Sequence, residues 1–242
     1  MKAEIGLVGY GRFGRLIARH LAKRCTVCVH DRRKNLRAER FVKVMSLDEV
    51  VQRQVIVFAV PIGELRSVLK RVRTKINPDA LVLDVCSVKV EPLRWMREHL
   101  PPTVAIVGTH PLFGPSSAAQ SVRGKSIVLS KGRISHQKFT SLRTLLRRSG
   151  LKVLTMTPEV HDRWMARTLF VTQYLGRGVR YVISGQDSPT TAFFHLQRLM
   201  EIAAADSPQL LLDMYRYNSF AKDLPQQLDK ELSSILNFRR NR

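Results

Sequence analysis

Carboxylates are scarce in this 242-residue chain: 19 Asp and Glu stand against 41 Lys and Arg, leaving a formal charge of +22 at pH 7. Such an imbalance ordinarily raises nucleic-acid binding. Here the basic residues are dispersed over most segments, with no homeodomain, zinc-finger or other reader motif and no basic tail beyond Arg239, Arg240 and Arg242. Nucleic acid is therefore not the expected partner. A dispersed positive field also draws small anionic molecules. Cysteine is scarce as well, and three residues cannot make a disulfide framework. Cys25 and Cys28 form a C-x-x-C string, but in a strand pattern their Cα atoms lie roughly 10 Å apart on opposite faces, beyond disulfide reach. Long apolar runs are missing: Val55 to Val60 and Ala80 to Cys86 are far too short to span a bilayer. The N-terminus runs straight into a strand pattern, so no signal peptide is expected. A cytoplasmic protein is expected, with no membrane partner and no metal ion.

What is present is a hydrophobic content of 44%, enough over this length for a sizeable core. Short apolar runs alternate with amphipathic stretches through the first 155 or so residues: Ile5 to Val8, Val27 to Val29, Val55 to Val60, Leu81 to Val85, Val104 to Val107 and Ile127 to Leu129. Strands alternating with helices imply an α/β fold with a mainly parallel sheet. In the first helix Phe13, Leu16, Ile17 and Leu21 form an inward stripe, while Arg12, Arg15, Arg19 and Lys23 take the other face. After the strand-like Lys152 to Met156, Thr157 suits an N-cap and Pro158 a first helical position. Helical periodicity then dominates from Glu159 to Ile183, from Thr190 to Ala204 and from Pro208 onward, with Pro225 expected to kink or break the last stretch. This divides the chain into an α/β domain, 1–156, and a smaller all-α domain, 157–242. The helical part carries more apolar positions than one thin layer hides, so a homodimer is expected.

Gly9-Tyr10-Gly11-Arg12-Phe13-Gly14 directly follows a strand and opens a helix, the context in which G-x-G-x-x-G reads as a Rossmann dinucleotide site. Gly9 permits the tight turn, Gly11 lets backbone approach a pyrophosphate, and Gly14 packs helix on strand. Arg12 and Phe13 belong to the same loop, and Val60 and Pro61, ending the Val55 run, are expected to flank the cofactor. The second strand ends at His30-Asp31, near the spacing of about 20 residues at which such folds place an acid on the adenosine ribose. Asp31 favours NAD. Arg32, Arg33 and Lys34 follow at once and offer cations for the 2′-phosphate of NADP, the alternative cofactor; a solvated turn would explain them too.

Two later strings put polar residues at strand ends, where open α/β sheets bind ligands: Asp84-Val85-Cys86-Ser87-Val88-Lys89 and Gly108-Thr109-His110-Pro111-Leu112-Phe113-Gly114-Pro115. With the glycine motif, they resemble the prephenate/arogenate dehydrogenase family of tyrosine biosynthesis. His161-Asp162-Arg163, Leu175-Gly176-Arg177 and Asp206-Ser207-Pro208 leading to Asn218 are similar to elements of that family's helical domain. The resemblance implies oxidative decarboxylation of a cyclohexadienyl substrate. His110 would take the hydroxyl proton as hydride leaves, Ser87 would hydrogen-bond that hydroxyl or His110, and Lys89 would position the loop. Taken singly, His110 before proline also suits a buried carbonyl's partner, and Ser87 suits the N-cap of a helix over Val88 to Leu100.

Many members of the family carry Thr-His where this chain has Thr172-Gln173, and an Arg in a Phe-Arg-Asp string where it has Phe193-Phe194-His195-Leu196-Gln197-Arg198. Gln173, Arg177 and Arg198 are the substrate-binding candidates, with solvated helix surface as the alternative for the arginines. No mutase or regulatory domain is expected to accompany this chain. Another Rossmann dehydrogenase acting on a small carboxylate and a non-catalytic dinucleotide-binding regulator stand as the alternative functions.

Overall fold

The computed structural model describes residues 3–33, 36, 38–183, 185 and 188–237. Lys34 and the terminal Arg239, Arg240 and Arg242 lie outside the described residues. The chain divides into two compact units, Met1–His161 and Asp162–Arg242.

The first unit is built on one sheet of eight strands: β1 (Glu4–Val8), β2 (Thr26–His30), β3 (Val42–Val44), β4 (Val55–Phe58), β5 (Leu81–Asp84), β6 (Ala105–Pro111), β7 (Ser126–Lys131) and β8 (Lys152–Thr155). Their order is β3-β2-β1-β4-β5-β6-β7-β8. The first six strands are all parallel, β7 runs antiparallel to β6, and β8 runs parallel to β7. The order reverses between β1 and β4, which opens the crevice where Rossmann sheets receive nucleotides. Helices cover the sheet: α1 (Arg12–Leu21), α2 (Leu47–Val50), α3 (Ile62–Val72), α4 (Val90–His99), α5 (Pro115–Ala118) and α6 (His136–Arg148). Parallel strands covered on both faces bury most of their side chains, which explains the apolar runs Leu7–Val8, Val27–Val29 and Ile56–Phe58 within β1, β2 and β4. Leu7, Val27, Val29 and Val57 pack with Tyr10 and with Ala18 of α1 in one core cluster. Val107, Ile127 and Leu129 pack with Phe139 and Leu142 of α6 in another.

The sequence reading missed β3, a strand of three residues whose Val42, Lys43 and Val44 remain partly or fully exposed. An edge strand that short gives no usable alternation. Thr157 does cap α7 (Pro158–Met165), its Oγ1 accepting from the Val160 N–H at 3.3 Å. The division between the units falls inside α7, between His161 and Asp162.

In the second unit the helical run is interrupted rather than continuous. A π turn, Ala166–Phe170, joins the end of α7 to α8 (Val171–Val182). Phe170, on this turn, stacks on Tyr174 and Tyr215 with centroids 5.8 and 6.1 Å apart and forms the unit's aromatic centre. α9 (Thr191–Ala205), α10 (Pro208–Tyr217) and α11 (Leu224–Asn237) follow. Pro225 does not kink a helix as expected. It sits in the first turn of α11, where its missing N–H costs nothing, and the break falls earlier, at Asn218. Asn218 accepts from the Phe220 N–H at 3.0 Å and donates to the Asp162 carbonyl at 2.7 Å, tying the turn after α10 to α7.

Candidate active site

The glycine loop follows β1. Gly9 adopts φ +99°, and a Cβ there would come within 2.5 Å of the Ala59 carbonyl oxygen and 3.1 Å of Val60 Cγ1. Only glycine accepts both the angle and the approach. A Cβ on Gly14 would run into the Gly9 carbonyl, so α1 lies directly against the turn. Gly11, the N-cap of α1, differs: a Cβ there would meet no heavy atom within 4 Å. Open space over the first amides of a helix is the cradle a pyrophosphate requires, and the loop fits a dinucleotide. Pro61 caps α3 and is exposed beside half-buried Val60, while Arg12 is exposed at the start of α1.

Tyr10 anchors the loop from below. Its ring is fully buried and its hydroxyl donates to the Glu39 carboxylate; burial, then that bond, push the phenol up to about 12. Its N–H donates to Asp31 Oδ2 at 2.7 Å. Arg33 closes on the same carboxylate through Nε at 2.7 Å and through its own N–H at 3.1 Å, while its Nη2 also reaches the Tyr10 carbonyl at 2.8 Å. Burial alone would raise the Asp31 carboxyl, but Arg33 and the two N–H groups outweigh it and lower it to about 2. Arg32 extends outward to Glu64 at 2.8 Å.

The second group of residues gathers at the ends of β5 and β6, two and three strands over from the glycine loop. Register pairs Asp84 with Gly108, so the loop carrying Ser87 and the end of β6 carrying His110 leave the sheet side by side. Lys89 joins them. Fully buried, it donates to the Asp84 carboxylate and, at 2.7 Å, to the Thr109 carbonyl, while the Thr109 hydroxyl donates back to the Asp84 carbonyl. Ser87 is not the N-cap. α4 starts at Val90 with Lys89 in the cap position and no side-chain cap bond, which leaves the buried Ser87 hydroxyl without a partner among the described residues. A buried unpaired hydroxyl marks a place for a polar ligand.

His110 is buried, with 8% exposure, and its Nδ1 lies 3.0 Å from His161 Nε2, the rings meeting edge to face at 75°. Burial, then the neighbouring His161, then the Lys89 charge hold His110 well below the ordinary histidine range; burial and Lys89 do the same to His161. Both rings are neutral at physiological pH. His161 entered the sequence reading only as part of a family string; nothing local announces that α7 delivers it to His110. The two motifs also meet in space, since Phe13 of the glycine loop lies against Phe113, ring centroids 6.4 Å apart.

In the helical unit the three substrate candidates separate. Gln173 is buried on α8 and donates from Nε2 to Asp206 Oδ2 at 2.9 Å, while its Oε1 finds no partner among the described residues. Arg177, one turn on, donates through Nη2 to the carbonyls of Ala203 and Asp206, both at 2.8 Å, and so satisfies the end of α9. Arg198 stands apart on an exposed face of α9, paired with Glu201 at 2.9 Å.

Residues 16–155 match the family model of the prephenate dehydrogenase nucleotide-binding domain. The chain belongs to this family. The match begins just past the glycine string and ends on the last residue of β8, so it covers the Ser87 and His110 segments. Arogenate dehydrogenase 2, chloroplastic, of Arabidopsis thaliana is 26% identical over 245 residues, which cover 96% of this chain and 68% of that one. A probable arogenate/prephenate dehydrogenase of Methanocaldococcus jannaschii is 28% identical over 143 residues, 58% of this chain and 32% of that one. Among solved structures, prephenate dehydrogenase from A. aeolicus with hydroxyphenyl propionate and NAD+ superimposes at TM-score 0.79 and 17% identity, covering 100% of this chain and 92% of the other. Synechocystis arogenate dehydrogenase gives 0.70 at 21%, covering 98% and 93%. Prephenate dehydrogenase family members thus share its fold, a Rossmann-type sheet followed by a helical part.

Proposed function

We propose that this chain catalyses, in the cytoplasm, the NAD(P)-dependent oxidative decarboxylation of prephenate or arogenate, giving 4-hydroxyphenylpyruvate or tyrosine, carbon dioxide and the reduced cofactor. The observation that carries this reading is a neutral His110 whose Nδ1 is already engaged by His161, with a buried Ser87 hydroxyl on the neighbouring loop that lacks a partner among the described residues. The bound nicotinamide supplies hydride acceptance. The protein supplies the rest.

In the productive tautomer His110 donates from Nδ1 to His161 Nε2, which leaves His110 Nε2 bare as a proton acceptor. That nitrogen takes the proton of the ring hydroxyl as hydride leaves the carbon bearing it. The carbon–carboxylate bond then breaks, its electron pair enters the ring, and the resulting phenolate is protonated, with aromatisation driving the step. Ser87 holds the same hydroxyl and aligns the ring. Lys89 acts at one remove: its bonds to Asp84 and Thr109 fix the two loops in register, and its charge adds to burial in holding both imidazoles below the ordinary histidine range. It is a positioning residue, not a base. Of the three substrate candidates, Gln173 keeps a buried acceptor and Arg177 a buried Nε without a partner among the described residues, the Arg177 Nη2 being spent on the end of α9, whereas Arg198 faces solvent.

Assays with prephenate and with arogenate, each with NAD and with NADP, test the proposal. The expected result is substrate-dependent formation of reduced cofactor with release of carbon dioxide for at least one pair. A folded protein that binds dinucleotide and turns over neither substrate with either cofactor would return the chain to the class of non-catalytic regulators.

A further inference from the structure

A cavity of about 510 Å³ opens at the end of β2, lined by Asp31, Arg32, Arg33, Ser46 and Arg71 among others. In a Rossmann domain this is where the adenosine ribose lies, and a free carboxylate here selects NAD by accepting its hydroxyls. Asp31 is not free. Oδ2 accepts from the Tyr10 N–H at 2.7 Å and Arg33 Nη2 at 3.1 Å; Oδ1 accepts from the Arg33 N–H at 3.1 Å and Arg33 Nε at 2.7 Å. A carboxylate offers about four lone-pair sites, and all four are taken.

The charges follow the same logic. Among the described residues Asp31 is the only acid lining the cavity, and Arg33 neutralises it as an ion pair. Arg32 shares its charge with Glu64. The exposed Arg71, near the end of α3, has no hydrogen bond or ion pair among the described residues. Ser46 turns its hydroxyl to Glu49 and adds no competing acceptor. The cavity therefore presents a saturated acid and an unspent guanidinium, the reverse of what a bare ribose diol requires and the complement of a phosphate dianion.

We propose that this cavity receives the 2′-phosphate of NADP, with Arg71 as its main cation and Arg32 joining it, so that the enzyme prefers NADP to NAD. The inference rests on the dinucleotide site argued above and reverses the preference Asp31 suggests in the sequence.

Calorimetric titration of the whole chain with adenosine 2′,5′-bisphosphate and with 5′-AMP tests it without turnover, since the two probes differ only in the 2′-phosphate. The bisphosphate should bind at least about tenfold more tightly, and the gap should narrow as salt rises. In Arg71→Gln it should shrink severalfold while 5′-AMP affinity holds, and NADP should lose affinity where NAD does not. Equal affinity for the two probes, or a gap that Arg71→Gln leaves intact, overturns the assignment while the dinucleotide site survives. If NAD, NADP and both probes all fail to bind a folded protein, the dinucleotide site falls and this inference with it.

Discussion

His110 Nδ1 and His161 Nε2 share one hydrogen bond of 3.0 Å, joining the end of β6 to the first turns of α7 across 51 residues of sequence. A proton acceptor is useful only if one nitrogen stays bare, and a ring whose other nitrogen is held cannot rotate away or exchange tautomers freely. His110→Asn should therefore lower kcat by at least about a hundredfold with little change in dinucleotide affinity, since it removes the acceptor and leaves the glycine loop alone. Unchanged turnover would remove His110 from the mechanism.

His161→Asn should cost about tenfold in kcat, again with dinucleotide affinity unchanged. It should also move the acid limb of kcat/KM toward neutral pH, because the ring that packs on His110 and lowers its basicity is gone. In the parent enzyme that limb should lie below about pH 6.5. A limb in the same place in both proteins would reduce His161 to a packing residue.

Both imidazoles are lowered in the folded state, which fixes the sign of a stability effect. Below about pH 6.5 the unfolded chain protonates these histidines while the folded chain does not, so unfolding takes up protons and stability falls as pH is lowered. Above that pH neither state binds the protons and the effect vanishes. His161, lowered to about 3, contributes up to about 2 kcal/mol between pH 6.5 and 5 at about 1.4 kcal/mol per unit, and His110 adds to it with the same sign. Urea titrations across this range should show the loss in the parent protein and a shallower slope in the His110→Asn/His161→Asn double variant. Parallel slopes would contradict it.

Much of this was legible in the sequence, for stated reasons. Gly9 and Gly14 stand where only glycine fits the protein, and Gly11 leaves the space a pyrophosphate needs, so their spacing carries meaning without coordinates. Apolar runs such as Val55 to Phe58 announce buried parallel strands by composition alone. Non-local contacts were not legible. Nothing near His161 says that it meets His110, and nothing near Asp31 says that Tyr10 and Arg33 saturate its oxygens. The Ser87 cap reading failed because Lys89 is drawn inward to Asp84 and delays the helix to Val90. Dispersal of charge was only half of the pattern too: basic residues spread everywhere, but no Asp or Glu occurs between Glu98 and Glu159.

Gly11→Val should abolish dinucleotide binding without unfolding the protein. The substituted Cβ meets no protein atom within 4 Å, so the fold tolerates it, yet it projects over the helix amides that a pyrophosphate must reach. Calorimetry would detect the loss and circular dichroism the retained fold. Parent affinity in the folded variant would sink the site.

The helical unit leaves large apolar side chains in solvent, with Tyr181 88% and Val182 83% exposed at the end of α8, Phe194 62% on α9, Leu212 58% on α10 and Ile235 67% on α11. Single exposed hydrophobics need no explanation, but a set drawn from four consecutive helices does, since each would be worth about 1.5–3 kcal/mol if fully buried. A second copy of the same surface hides them with the fewest new requirements, because a two-fold interface is complementary to itself. Light scattering at micromolar concentration should therefore give twice the 27.6 kDa chain mass. Dilution below the dimer's dissociation constant should lower specific activity, because α8, which carries Gln173 and Arg177, loses its partner surface. Phe194→Glu should produce the monomer at higher concentration while the sheet unit keeps its dinucleotide affinity. A monomer mass with full specific activity in the parent protein would refute both the assembly and its link to turnover.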